Sequence, residues 1–336
     1  MAKRVTMADV AREAGVSLQT VSRAINDKNE ISAQTKRKVL AVVKRLGFRP
    51  SGIARSLATR RTASVGLVVP DITNPFFSEI ARGVEDVAYA HAYNVFLCNS
   101  DEDIQREKAV LDSLLEKQVD GLVLFSSRLD QKELLDRLRY FSYVVLVNRE
   151  IDVGLDGVRT IMIEDETSAH KAVDHFFSQG RTKIGYLAGP ERSDSNRKRY
   201  QGYVAALQKN HLQVDPELIC QCEKPDISSG EQAARKLLQA RTDINALFAF
   251  NDLVAVGALQ ACQEIGCRVP QDVAVIGCDD IPLASLVTPA LSTLHIGKRE
   301  VGIAAMQILM ALIQSDHPIP MKTIFQSELV LRGSTD

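Results

Sequence analysis

The polar residues placed for chemistry in this sequence form two sets, and both suit recognition rather than bond making. One set is Leu18, Gln19, Ser22 and Arg23, which face outward from a short helix whose inner face is Val21 and Ile25. The other lies just past apolar runs that read as strands: Asn148 after Val147, Asn251 and Asp252 after Phe250, and Asp279 and Asp280 after Gly277-Cys278. In open parallel sheets ligands bind at the carboxyl ends of the strands. Such positions also hold solvated helix caps, an alternative reading for Asn251 and the preferred one for Asp252. The sequence contains no serine-centred elbow, no phosphate loop and no metal-spaced cluster. Cys220 and Cys222, the only cysteines close in sequence, alternate along a strand with no second pair at finger-like spacing, and all six cysteines read as buried thiols. His170 and His175 are five apart on a helix and do not share a face. No metal, cofactor or catalytic residue is therefore assigned.

The first set needs a small helical unit to position it. Thr6 caps a helix carrying Val10 and Ala14 on one face, Gly15 breaks it in a left-handed conformation, and Val16 plugs the turn. Ser17 caps the second helix, and a third from about Ala33 to Leu46 presents Val39, Val43 and Leu46 to the same core before Gly47 ends it. This is helix-turn-helix geometry, in which the second helix enters the major groove by its amino-terminal residues. Pro50 then stops the chain's helical course, and Ser51 caps a short segment with Ala54 and Leu57 on one face and Arg55, Arg60 and Arg61 around it. A helix of about two turns is marginal alone. A basic segment that folds only on docking, with an apolar wedge at Leu57, suits minor-groove insertion; an ordinary basic linker has the same composition.

Charge divides the chain at the same place. Residues 1–64 carry 14 Lys or Arg and 4 Asp or Glu, a net of +10, and the remainder carries 27 and 38, a net of −11, so the front end is a footprint for a polyanion. With 336 residues, 45% hydrophobic and 25% charged, the composition is that of two or three globular domains rather than of disorder. The apolar runs are far shorter than the roughly 18 residues of a spanning helix. The start, Met1 to Thr6, lacks the apolar core of a secretion signal. A cytoplasmic protein without membrane partners is expected.

The second set needs sheets. Apolar runs at 65–69, 94–98, 121–125, 143–147, 183–187, 246–250 and 273–277 alternate with amphipathic stretches, the pattern of parallel sheets covered on both faces by helices. Phe76, Phe77 and Phe125 offer apolar walls to a site at the strand ends, with core packing preferred for Phe125.

The run Met7-Ala8-Asp9-Val10-Ala11-Arg12-Glu13-Ala14-Gly15-Val16-Ser17-Leu18-Gln19-Thr20-Val21-Ser22-Arg23-Ala24-Ile25-Asn26 resembles the head of the lactose-repressor and galactose-repressor family of bacterial transcription regulators, and Arg49 to Leu57 resembles that family's hinge helix. With the sensor motifs below, the resemblance extends over nearly the whole chain. It implies an all-α helix-turn-helix head at 1–48, a hinge at 49–62 and an α/β two-lobed sensor of the periplasmic-binding-protein-like type I class at 63–336. Lobe 1 would hold about 63–160 and 292–321, lobe 2 about 161–291 and 322–336. Leu18 and Gln19 would read base edges with Arg23 in support, Gln suiting adenine, Arg guanine and Leu a thymine methyl. Thr20, Asn26, Ser32 and Thr35 would contact phosphates; Thr6, Ser17 and Ser22 complete the DNA-facing set, and Ala54 and Leu57 the hinge contacts.

Gly189-Pro190 followed by Arg199-Tyr200-Gln201-Gly202-Tyr203, and Ile276-Gly277-Cys278-Asp279-Asp280, resemble the family's effector-binding segments. The implied effector site is Phe76, Phe77, Asn148, Ser193, Arg199, Asn251 and Asp279, with Arg199 and Asp279 as bidentate donor and acceptor for a ring bearing hydroxyls or amides. The stacking aromatic often found before Ser229-Gly230 is missing, since that loop reads Glu223-Lys224-Pro225-Asp226-Ile227-Ser228. The expected function is a homodimeric repressor on a pseudo-palindromic operator under small-molecule control, a sugar or sugar derivative being the favoured effector. A corepressor-activated regulator sensing a non-sugar metabolite and an architectural DNA-bending protein are the alternatives. The carboxyl end lacks the apolar heptads of tetrameric relatives, so a dimer is expected.

Overall fold

The computed structural model describes residues 5–25, 31–48, 61–151, 155–314 and 319–336. The chain divides into two units, Met1–Thr62 and Ala63–Asp336.

In the first unit, helices α1 (Met7–Ala14), α2 (Leu18–Ile25) and α3 (Ala33–Leu46) enclose a small core. Thr6 opens α1 with a reciprocal cap, its hydroxyl accepting from the Asp9 N–H while its own N–H donates to the Asp9 carboxylate at 3.0 Å. Gly15 and Gly47 end α1 and α3 at φ 63° and 64°, the left-handed conformation that spares a side-chain clash. The core is Val10, Ala14, Val21, Ala24, Val39, Val42 and Phe48. Val43 and Leu46 pack against this core as expected, and Val42, also one turn from Val39, is buried within it. Asn26, Ala54 and Leu57 lie outside the described residues.

The second unit holds two six-stranded sheets. Strands β1 (Ser64–Val69), β2 (Asn94–Asn99), β3 (Gly121–Phe125), β4 (Val144–Val147), β5 (Val158–Ile163) and β11 (Lys322–Phe325) form a parallel sheet in the order β11-β5-β4-β3-β1-β2. With helices α4 (Pro75–Ala90), α5 (Ile104–Glu116), α6 (Gln131–Leu138) and α12 (Lys298–Gln314) they make lobe 1. Strands β6 (Ile184–Ala188), β7 (Ile219–Gln221), β8 (Ala246–Ala249), β9 (Ala274–Asp279), β10 (Ser292–His295) and β12 (Glu328–Val330) form the other sheet in the order β12-β10-β9-β8-β6-β7, parallel except for β12 against β10. They carry α7 (Asp165–Ser178), α8 (Asp194–Lys209), α9 (Ile227–Ala240), α10 (Asp252–Glu264) and α11 (Pro282–Leu286) as lobe 2. Strands β1, β3, β4, β6, β8 and β9 are buried along their whole length, which is why they appear in the sequence as unbroken apolar runs.

The lobe boundaries expected from the sequence need correcting. Strand β5 runs to Ile163 within lobe 1, and β10, expected in lobe 1, extends the lobe 2 ladder with Ser292 opposite Ile276. Strand β11, expected in lobe 2, pairs with β5 in lobe 1, Lys322 opposite Thr160. The chain thus crosses between lobes after β5, after β10 and between β11 and β12. Strands of three or four residues carry too little pattern to declare which sheet edge completes their hydrogen bonds.

In lobe 1, α4 and α12 cross closely at glycines. A Cβ on Gly83 would lie 2.3 Å from the Arg299 carbonyl oxygen, and one on Gly302 would lie 2.2 Å from that of Ile80. Alanine is favoured over glycine inside a helix by about 1 kcal/mol, but a rigid backbone carbonyl cannot yield to it. Gly302→Ala is therefore expected to destabilise the protein by about 1–3 kcal/mol, the usual range for overpacking, in denaturant unfolding followed by circular dichroism. An unchanged or raised midpoint would mean that the helices part without cost.

Candidate functional site

In the head, the first turn of α2 leaves its side chains in water. Leu18 is 53% exposed, an unusual position for leucine in so small a unit, and Gln19 is exposed beside it. Ser17 holds this turn in place, its hydroxyl accepting from the Thr20 N–H at 3.1 Å and meeting the Thr20 hydroxyl at 2.9 Å. Ser32 repeats the arrangement at α3 with the Thr35 N–H and hydroxyl. Ser22 and Arg23 are half-buried on the next turn of α2, and Thr6 serves as the cap of α1.

In the sensor, the carboxyl ends of the strands of both lobes converge on a cleft. Its walls include all seven residues implied as an effector site, Phe76, Phe77, Asn148, Ser193, Arg199, Asn251 and Asp279. Lobe 1 adds Asp71, Asn74, Glu102, Ser126 and Arg128, and lobe 2 adds Ser195, Pro225 and Phe250. Phe125 is packed in the core. The innermost space between the walls is about 40 Å³, and a hollow of about 320 Å³ adjoins it at Glu102, Arg128 and Pro225.

Arg199 sits at the base of the cleft, almost wholly buried on α8. Its Nε donates to Asp165 at 2.8 Å, one terminal nitrogen donates to the Phe250 carbonyl oxygen, and the other lies 3.8 Å from the Asp279 carboxylate. The guanidinium also lies over the Phe250 ring at 4.9 Å. Burial opposes its charge, but Asp165 and then Asp279 more than offset this and hold its pKa above the ordinary arginine value. The Phe250 ring, just past β8, packs against this guanidinium and against Gly189, where a Cβ would lie 2.3 Å from the ring.

Asp279 and Asp280 leave β9 at φ 117° and 52°, conformations costly for residues with a side chain. Lys298 holds them, its buried ammonium donating to the carbonyl oxygens of Asp279 at 2.7 Å and Asp280 at 2.8 Å. Asn251 caps α10, its side-chain oxygen accepting from the Val254 N–H at 2.9 Å, while its amide donates to Pro225 across the cleft wall. Asp252, read from sequence as a cap, is not one: fully buried, its carboxylate accepts from the Ile281 N–H at 2.8 Å and from the Thr293 hydroxyl. With Asn251 already capping, the next carboxylate turns inward to brace the segment after β9.

Across the cleft Asn148, at φ 51°, accepts from the Ile163 N–H and donates to Ser195 at 3.2 Å. Arg149 reaches Asp194 at 3.4 Å. These contacts join the lobes directly. On lobe 1, Arg128 is held in a two-pronged pair by Glu102, and Glu107 beneath it accepts from the Arg128 N–H at 2.9 Å and the Ser127 hydroxyl. Burial raises the pKa of Glu107. Sequence reasoning missed Asp71, Glu102, Ser126 and Arg128, which follow β1, β2 and β3 as Asn148 follows β4; applying the strand-end rule to every strand would have found them. Among the described residues no cluster of ligands suits a metal ion.

The model of the bacterial regulatory proteins, lacI family, matches residues 6–51, and that of the periplasmic binding protein-like domain matches residues 173–335. The HTH-type transcriptional repressor CytR of Escherichia coli (strain K12) is 34% identical over 330 residues, covering 98% of this chain and 96% of that protein. Among solved structures, the lac repressor dimer bound to operator and the anti-inducer ONPF aligns with a TM-score of 0.88 at 27% identity over 99% of both chains. A transcriptional regulator CelR-cellobiose complex aligns with a TM-score of 0.74 at 28% identity, covering 98% of this chain and 100% of that one.

Burial pushes the Asp279 carboxyl up to about 7 against the opposing pull of Arg199. In the unfolded chain an aspartate titrates near about 3.9. Between these values the folded chain holds a proton that the unfolded chain has lost, so this group's contribution to stability falls as pH rises from about 4 to about 7 and is level above that. Asn has no such proton to lose. The difference in melting temperature between Asp279→Asn and the parent is therefore expected to move in the variant's favour between about pH 5 and pH 8. A difference that does not change with pH would mean that the carboxyl titrates in its ordinary range.

Proposed function

Because the chain belongs to the lacI family of bacterial regulatory proteins, we propose that it is a sequence-specific transcriptional repressor, acting as a homodimer on a pseudo-palindromic operator and switched by a small molecule held in its interlobe cleft. The observation that carries this reading is the union, in one chain, of a helix-turn-helix with exposed Leu18 and Gln19 and a cleft where seven effector-site candidates meet. Leu18 and Gln19 read base edges with Arg23 in support; Thr20, Asn26, Ser32 and Thr35 face the phosphates; Thr6, Ser17 and Ser22 complete the DNA-facing set; Ala54 lies in the hinge, where Leu57 enters the minor groove.

The effector is a sugar or sugar derivative, a reading supported by the cellobiose complex of a similar regulator. It acts only through different affinities for the open and closed lobes. The cleft binds without turnover: its charged groups are engaged with one another as donors and acceptors. Such a regulator works in the cytoplasm, and among the described residues no helix is long and apolar enough to cross a membrane.

A second copy of the chain has a face to meet. Parallel sheets are ordinarily covered on both sides, yet edge strand β2 leaves Phe96 and Leu97 40% and 49% exposed. Beside it a groove of about 540 Å³ runs between β2 and α4, lined by Ile72, Phe77, Ala81, Tyr89 and Tyr93. The lac repressor structure, a dimer, supports the same assembly for this chain.

Two measurements test the reading. Duplexes selected from a random pool should be half-site repeats bound roughly 10³-fold or more tightly than unrelated DNA, and Leu57→Ala should lower that ratio while sparing nonspecific binding. Equal binding of all duplexes would point to an architectural protein. Leu97→Glu should give a monomer in sedimentation and a large loss of operator affinity; a dimer that survives it has its interface elsewhere.

A further inference from the structure

Only two cations, Arg128 and Arg199, line the inner cleft among the described residues, and neither is available to an incoming anion. Arg199 is engaged by Asp165, Asp279 and the Phe250 carbonyl oxygen. Arg128, 5% exposed, gives its Nε to one Glu102 oxygen at 2.6 Å and a terminal nitrogen to the other at 3.1 Å, while its remaining terminal nitrogen donates to the Ser126 carbonyl oxygen at 2.6 Å. A parallel two-pronged pair of this kind is the geometry with which arginine would otherwise grip phosphate. Glu102 thus occupies the position that an anion would take.

The arrangement is built rather than incidental. Asp101 and Glu102 both have φ of 56°, two successive left-handed residues that carry side chains, so backbone strain is spent turning Glu102 toward Arg128. From the other side, buried Glu107 fixes the Arg128 backbone N–H and the Ser127 hydroxyl. Two carboxylates, Asp71 and Glu102, and the Asp279 carboxyl face the same space. The other lining groups, Asn74, Ser126, Asn148, Ser193 and Asn251 with Phe76, Phe77 and Phe250, suit hydroxyls, amides and an apolar ring face. Arg192 and Arg197 lie at the outer rim in water, where salt screens them, and Arg197 is already paired with Asp194.

We propose that the cleft takes an uncharged, hydroxyl- or amide-bearing effector and that Glu102 is the specificity-determining residue that excludes phosphorylated ones, by holding the guanidinium of Arg128. This rests on the reading of the cleft as the effector site.

The test uses the full chain with inorganic phosphate as probe, thermal melting being followed against sodium chloride of equal ionic strength. The wild type is expected to respond to phosphate no more than to chloride. Glu102→Gln, which keeps the shape and removes the charge, is expected to gain a saturable shift of several degrees, as a ligand near 100 times its dissociation constant gives. That shift should vanish in Glu102→Gln/Arg128→Gln. If Glu102→Gln does not fold, Glu102→Ala carries the same expectation. A saturable phosphate shift in the wild type, or none in either folded Glu102 variant, overturns the proposal. Operator preference is measured on the same samples: its retention alongside wild-type phosphate binding sinks this inference alone, whereas its absence in the wild type sinks the functional reading beneath it.

Discussion

A guanidinium cannot remain in a protein interior unless anions and acceptors surround it, because its transfer from water costs several kcal/mol that only close partners offset. Arg199 is such a group, and much of the sensor's architecture follows from satisfying it. Asp165 at the start of α7, the Phe250 carbonyl at the end of β8 and Asp279 at the end of β9 all point at it. Four elements of lobe 2 are thereby brought to one point. Asp252 braces the same region from beneath, with burial and the nearby Asp279 charge raising its pKa. A ligand entering here meets groups whose orientations are already set, so it need not supply the ordering itself.

Lobe 1 presents a second charge on the facing wall under different terms. Arg128 is balanced by Glu102 from the next loop, with Glu107 as anchor. Backbone strain gathers at the same places. Asp101, Glu102, Ser126, Asn148, Asp279 and Asp280 all have positive φ, and all lie at or just past the carboxyl ends of β2, β3, β4 and β9. Glu102, Ser126, Asn148 and Asp279 line the cleft itself, and the fully buried, paired strands β3, β4 and β9 behind three of them can hold such unfavourable conformations. Among the direct contacts between the walls, those of Asn148 with Ser195, of Arg149 and the Glu150 N–H with Asp194, and of Glu150 with Lys198 are polar. Contacts of this kind can be exchanged for water or ligand at modest cost, as a two-state sensor requires.

The two units also leave particular apolar side chains in water. Leu18 opens the recognition helix of the head, and Phe96 and Leu97 lie on the edge strand of lobe 1. Burying such residues is worth roughly 1.5–3 kcal/mol each, so each is a place where a partner surface would gain stability. Function here lies in surfaces and strand ends, and the buried core serves to hold them.

By itself the sequence determined the local elements and the kind of chemistry they carry. Unbroken apolar runs identified β1, β3, β4 and β9 to within about two residues, since a strand buried on both faces can be written only one way. Thr6, Gly15, Ser32 and Gly47 marked the head's helix ends because capping is local chemistry. The strand-end rule, with the family resemblance, brought seven residues toward one cleft. Tertiary structure alone decided the rest. It placed β10 and β11 in the sheets opposite to those expected, turned Asp252 inward from the cap that Asn251 fills, put Phe250 beneath the arginine, and paired Glu102 with Arg128 across 26 positions of chain. Periodicity and capping report what a residue does within its own element. Which distant partner completes a hydrogen bond or balances a buried charge is settled only when the elements pack, and the sequence carries no local record of that choice.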